Sequence, residues 1–250
     1  MPISKSLVRV ACILPLVALA LAPASAQNPY PNVDRVVQIL ESHYRAAKTL
    51  QADFLERFSE GGRQERLESG RVYFAKPGRM RWEYESPETK LFVSDGRILW
   101  FYVPADHSAT RQLVKQSDDW RTPLALLTGQ ANFSRLCGRI QLAEGPPLSD
   151  GSVVLQCWPK GETSSAARVG QQNASNPLDA GSDFTEVLLE VNPASGELND
   201  VRVEQPGGVE LDIRFGAWQM NPPLPGSLFE FEPPAGVAIV PAEGSLDSSP

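Results

Sequence analysis

From Leu50 onward, apolar residues recur at every second position in one segment after another, and clusters of turn-forming residues separate the segments. Leu50, Ala52 and Phe54 alternate with Gln51, Asp53 and Leu55. In "RMRWEYE", Met80, Trp82 and Tyr84 share one face, while Arg79, Arg81, Glu83 and Glu85 share the other. Val187, Leu189 and Val191, then Val201 and Val203, then Val209, Leu211, Ile213 and Phe215 repeat the pattern. A period of two places successive side chains on opposite faces of a strand, so these are strands with one face buried. Between them stand Lys76-Pro77-Gly78, Asp95-Gly96, Asp150-Gly151, "NPASGE" and "QPGG", turn signals at the spacing of a meander. The pattern predicts one continuous antiparallel sheet of ten or eleven strands, without the internal repeat of a propeller or solenoid.

One strand breaks the rule. In "SDGRILWFYVP", Ile98, Trp100 and Tyr102 point one way and Leu99, Phe101 and Val103 the other, so two apolar environments must lie against it. Helices could supply one of them. Val33, Val36, Val37, Leu40, Tyr44 and Ala47 follow the i, i+3, i+4, i+7 spacing of an amphipathic helix. "TPLALLTG" reads as a short apolar helix with Thr122 as N-cap, Pro123 in the first turn and Gly129 as stop. Residues 160–182 are polar and small with no hydrophobic period, and are expected to be a flexible loop; the tail 241–250 is expected to be disordered.

Residues 1–26 have the form of an export signal: Lys5 and Arg9 precede an apolar run that ends in "APASAQ", with cleavage expected after Ala26. Removing Lys5 and Arg9 takes the net charge from −7 to about −9, which argues against nucleic acid as a partner. In the mature chain, residues 27–240 are expected to form a single domain. Its two cysteines, Cys137 and Cys157, form an isolated pair in an oxidising compartment, which favours a disulfide over a metal site.

No catalytic constellation stands out. His43 and His107 have no partners at a recognisable spacing, and there is no G-x-S-x-G, H-E-x-x-H, C-x-x-C or glycine-rich phosphate loop. Neither a cofactor nor a metal is expected. What remains is aromatic matter on strands. Trp82, Tyr84, Trp100, Phe101 and Tyr102 either fill a sheet core or line a cavity about which the sheet curls.

The segments "LQADFLERF", "FAKPGRMRWEYESPE", "VSDGRILWFYVP", "TPLALLTG" and "FEFEPPAGV" resemble, in order and spacing, the outer-membrane lipoprotein carrier family known as LolA. That resemblance implies a mainly β fold: an unclosed antiparallel barrel of about 11 strands with an α-helical lid over a hydrophobic cavity. It implies a periplasmic, non-enzymatic and monomeric chaperone of lipoproteins. Such a carrier accepts cargo from an ATP-driven inner-membrane ABC transporter complex and passes it to an outer-membrane acceptor. Cavity or lid positions would be Met80, Trp82, Tyr84, Leu99, Trp100, Phe101, Leu124, Leu126 and Leu127. Where the family commonly has an arginine that holds the lid closed, this chain has Lys76, expected to reach lid carbonyls around residues 123–128. A carrier or sensor of free lipids on the same fold is the alternative, and an exported hydrolase a more distant one.

Overall fold

The computed structural model describes residues 31–62, 64–114, 127, 133, 137–159 and 184–241. The expected signal segment, the loop 160–182 and the tail from 242 therefore lie outside the described residues, as do Leu124 and Leu126. No helix among the described residues is long and apolar enough to cross a membrane.

The helical spacing near the start forms α1, Val33–Ala46. Asn32 caps it, its Oδ1 accepting from the Arg35 amide at 3.2 Å, and Ala47 ends it by turning extended. Among the described residues twelve strands follow: β1 Thr49–Glu60, β2 Gln64–Ala75, β3 Arg79–Ser86, β4 Lys90–Ser94, β5 Ile98–Val103, β6 Ser108–Leu113, β7 Cys137–Leu142, β8 Val153–Pro159, β9 Glu186–Val191, β10 Leu198–Gln205, β11 Val209–Met220 and β12 Ala238–Pro241. They form one sheet in the order β12-β6-β5-β4-β3-β2-β1-β11-β10-β9-β8-β7. Two meanders, β1 to β6 and β7 to β11, are thus joined where β1 pairs antiparallel with β11. The outermost strands, β12 and β7, are not partners, so the sheet stays unclosed.

The unclosed sheet of about 11 strands is as expected; one pairing departs from the expected antiparallel pattern, because β12 runs parallel to β6. A parallel neighbour needs a crossover connection. After β11 the chain crosses the outer face of the sheet before entering β12. On the way, Arg81 Nη1 donates to the Leu228 carbonyl at 3.1 Å, and the Arg79 guanidinium lies over the Phe229 ring at 5.4 Å.

That crossing explains the two-faced strand. Leu99 and Phe101 of β5 join the core on the inner face, the face that α1 covers. Trp100 and Tyr102 face outward and meet the ring of Phe231 at 5.7 and 5.3 Å. The second apolar environment is the C-terminal crossing segment.

Candidate apolar binding face

Pairing between strands aligns the inner-face residues in rows. Leu50 of β1 stands opposite Phe74, Phe74 opposite Met80, Met80 opposite Ser94 and Ser94 opposite Leu99. The next row runs Ala52, Val72, Trp82, Phe92, Phe101, and the third Phe54, Gly70, Tyr84, Lys90. Rings meet mostly edge to face: Phe54 lies 4.9 Å from Trp82 and 5.0 Å from Tyr84, and Phe74 lies 5.9 Å from Trp82. Such contacts contribute roughly 0.5–1.5 kcal/mol each beyond the area they bury. Gly70 permits the tight approach of β2 to β3, since a Cβ there would stand 1.8 Å from the Glu83 carbonyl oxygen.

Helix α1 covers this face with Val36, Leu40 and Tyr44, all buried. One residue of β10 anchors it. The Leu198 amide donates to the Tyr44 hydroxyl at 3.0 Å, while the Leu198 carbonyl accepts from Trp218 Nε1 at 2.8 Å. Burial pushes the Tyr44 phenol up beyond its ordinary range. At the helix's C-terminal end, Lys76 Nζ donates to the carbonyls of Tyr44 at 2.6 Å and Arg45 at 3.1 Å. Those carbonyls are among the last four of α1, where the i to i+4 pattern runs out; the Tyr44 carbonyl also accepts from the Ala47 amide at 3.3 Å, and a cation there complements the helix dipole. Burial, and then the charge of Arg45, lower the Lys76 pKa. The segment at which Lys76 was expected to aim, 123–128, lies outside the described residues except for Leu127, which is fully buried.

Met80, Trp82, Tyr84 and Leu99 are buried on the inner face, and Phe101 packs against the same core. Trp100 does not belong with them. Odd and even residues of β5 point to opposite faces, so the position that puts Leu99 and Phe101 inside puts Trp100 against Phe231. Cys137 and Cys157 are bridged, with Cα atoms 5.5 Å apart, and tie edge strand β7 to β8. His43 sits where α1 meets the β9–β10 turn, its pKa lowered by burial, and His107 lies in a turn at φ 49°.

The aromatic alternation left three members of this face unnamed: Phe74, Phe92 and Trp218. It also left unnamed a set of ionisable groups. Past Phe54 the next inner positions are Glu56 on β1 and Glu68 on β2, directly opposite each other and only 2 % and 5 % exposed. The Tyr84 hydroxyl donates to Glu56 Oε2 at 2.8 Å, and Lys90 Nζ donates to Glu68. Burial pushes the Glu56 carboxyl up to about 7, with the charge of Glu68 adding to the rise and the Tyr84 hydrogen bond, Arg66 and Lys90 opposing it. A carboxylate interrupting an apolar alternation is the sequence signal for this cluster. Among the described residues, no group of three or more His, Cys, Asp or Glu side chains could hold a metal ion. Among the described residues the arrangement presents a broad apolar surface covered by α1, which suits it to sequestering a greasy ligand.

The family model for the outer membrane lipoprotein carrier protein LolA matches residues 45–144. An outer-membrane lipoprotein carrier protein of Chromobacterium violaceum is 31% identical over 224 residues, spanning 89% of this chain and 95% of that one. The chain belongs to the outer-membrane lipoprotein carrier family. A second carrier of that name, from Nitrosospira multiformis, is 30% identical across 80% of this chain and 86% of its own length. Among solved structures, a LolA superfamily protein from Nitrosomonas europaea is 14% identical with a TM-score of 0.39, covering 81% of this chain and 99% of that one. The matched stretch 45–144 contains β1 to β5, the strands that carry the carrier's aromatic rows.

Proposed function

We propose that this chain is a periplasmic carrier that shelters the acyl chains of lipoproteins on its inner face. In this reading residues 1–26 are the export signal. Cargo comes from an ATP-driven inner-membrane complex and leaves to an outer-membrane acceptor. The observation that carries the reading is the continuous apolar face of Phe54, Phe74, Met80, Trp82, Phe92 and Phe101, covered by α1 within an unclosed sheet, in a member of a family named for carrying lipoproteins.

The chemistry fits the task. Exposing an acyl chain to water costs about 0.8 kcal/mol per methylene, so a soluble route between membranes needs a cover. An apolar face of ring edges and aliphatic groups accepts chains of varied length without fixed polar anchors along them. Lys76 has the role of a clasp on α1, holding the face covered when no ligand is present.

The test is incubation of the purified mature chain with spheroplasts of its host. A soluble one-to-one complex with acylated lipoproteins, absent with a control periplasmic protein, is the expected result. Recovery of bound phospholipid with no lipoprotein would replace the reading with that of a free-lipid carrier.

A further inference from the structure

The inner face changes character along its strands. On β1 the sequence of inward residues is Leu50, Ala52, Phe54, then Glu56; on β2 it is Phe74, Val72, Gly70, then Glu68 and Arg66. The C-terminal end of α1 lies at the Leu50 end, where Tyr44 meets Trp218 at 5.6 Å and Lys76 holds the helix. Six residues of strand separate Leu50 from Glu56, about 20 Å, comparable with an extended long acyl chain. At the far end the β1–β2 and β10–β11 hairpins meet, the Gly61 amide donating to the Gly208 carbonyl at 2.9 Å.

We propose that the ionic row of Glu56, Glu68, Lys90 and Arg66, with the Tyr84 hydroxyl, seats the polar head of a long-chain amphiphile. It would take the ester or amide carbonyls that join the acyl chains to the rest of the ligand. The proposal rests on the carrier reading and gives the cargo a direction: chain tips under α1, head toward the hairpins.

Three observations carry it. The row is confined to one half of the sheet, because the inward positions next to it on β11 and β10 are Ile213, Leu211, Val201 and Val203, all buried and apolar. The Nε of Arg66 is buried without a hydrogen-bond acceptor, although its ion-pair partner Glu68 Oε1 is 3.5 Å away. A buried donor without an acceptor is destabilising, and a ligand carbonyl would relieve it. Stability gives no reason for the row, since buried ion pairs are often no better than apolar side chains of the same volume. Lys90, over the Tyr84 ring at 5.7 Å, borders the apolar rows and supplies a second donor. Glu56 and Glu68 supply acceptors for amide N–H groups.

The mature chain would be titrated with three probes: a dipalmitoylglyceryl-cysteine peptide, dipalmitoylphosphatidylglycerol and headless diphenylhexatriene. The variants are Arg66→Met and the pair Glu68→Leu with Lys90→Leu, each checked by thermal melting. Arg66→Met loses lipopeptide affinity by about tenfold, one charged hydrogen bond's worth, while diphenylhexatriene binding stays within about twofold of the parent. If phospholipid affinity falls in parallel, the seat recognises ester carbonyls of either source; if only the lipopeptide is affected, it recognises the peptide amides. Unchanged lipopeptide affinity, or an equal loss for diphenylhexatriene, overturns the proposal and leaves the carrier reading standing. A parent protein that binds none of the probes overturns both. The Arg66 side chain is 35% exposed, so its variant keeps the test open if the buried pair cannot be removed without unfolding.

Discussion

Glu56→Gln isolates the energetic weight of the carboxyl within the apolar face. The groups that face it are Tyr84, which donates to it, and Glu68, Arg66 and Lys90. Its ordinary value of 4.5 rises to about 7 on folding, chiefly through burial, and at 1.36 kcal/mol per unit this amounts to about 3 kcal/mol. A raised carboxyl binds its proton more tightly in the folded than in the unfolded state. Between pH 4.5 and 7 the folded chain therefore retains a proton that the unfolded chain has released, and stability falls as pH rises through that window. Glutamine stays neutral and still offers Tyr84 an acceptor. The variant should match the parent near pH 4 and exceed it by about 3 kcal/mol at pH 8. Urea unfolding with the disulfide intact, followed by tryptophan fluorescence across that range, measures the difference. Asp200 is also pushed up to about 7, by burial and by its neighbour Asp212, but it titrates in both proteins and cancels. A difference that stays flat with pH, or a variant less stable at pH 8, would refute the reasoning.

Gly70→Ala should cost about 3 kcal/mol or more by urea unfolding, because the new methyl meets the Glu83 backbone oxygen and not a side chain that can swing away. Replacing Cys137 and Cys157 by serine should lower stability by roughly 3 kcal/mol for a closed loop of this length, and the native chain should show no free thiol to alkylation at these positions. Trp100→Ala should leave diphenylhexatriene uptake unchanged while exposing the Phe231 segment to proteolysis, whereas Trp82→Ala, at a site 1 % exposed, should cost about 3–5 kcal/mol of stability. Lys76→Leu should make the empty protein bind an apolar dye more readily and release bound lipopeptide more slowly.

The alternation around Met80, Trp82 and Tyr84 made the inner face legible, because a period of two leaves each strand only two orientations. The helical stripe of Val36, Leu40 and Tyr44 was legible for the same reason at a period of 3.6. Strand β5 resisted. With apolar residues on both faces, its side chains could be assigned only by knowing that Phe231, far along the chain, would cross behind Trp100. The parallel pairing of β12 was hidden likewise, since no turn signal announces a partner reached by a crossover. The ionic row was visible in principle. Glu56 and Glu68 occupy inward positions by simple counting, but their meaning depends on the register that sets them opposite each other.

The direction of the Lys76 effect follows from what must be exchanged for a ligand to enter. In the covered form Val36, Leu40 and Tyr44 are buried on the inner face, at about 1.5–3 kcal/mol each. Lifting α1 therefore costs roughly 5–9 kcal/mol before the Lys76 bonds are counted. A single chain of about 15 methylenes returns about 12 kcal/mol. The net affinity is a small difference between these opposing terms, and the helix acts as a competitor for the same surface. Removing the Lys76 contacts weakens the competitor without touching the ligand's own contacts. Apparent affinity then rises by the factor by which the open form becomes more populated. On the proposed carrier reading, the Lys76 contacts favour release over retention, and a variant without them is expected to hold its cargo longer.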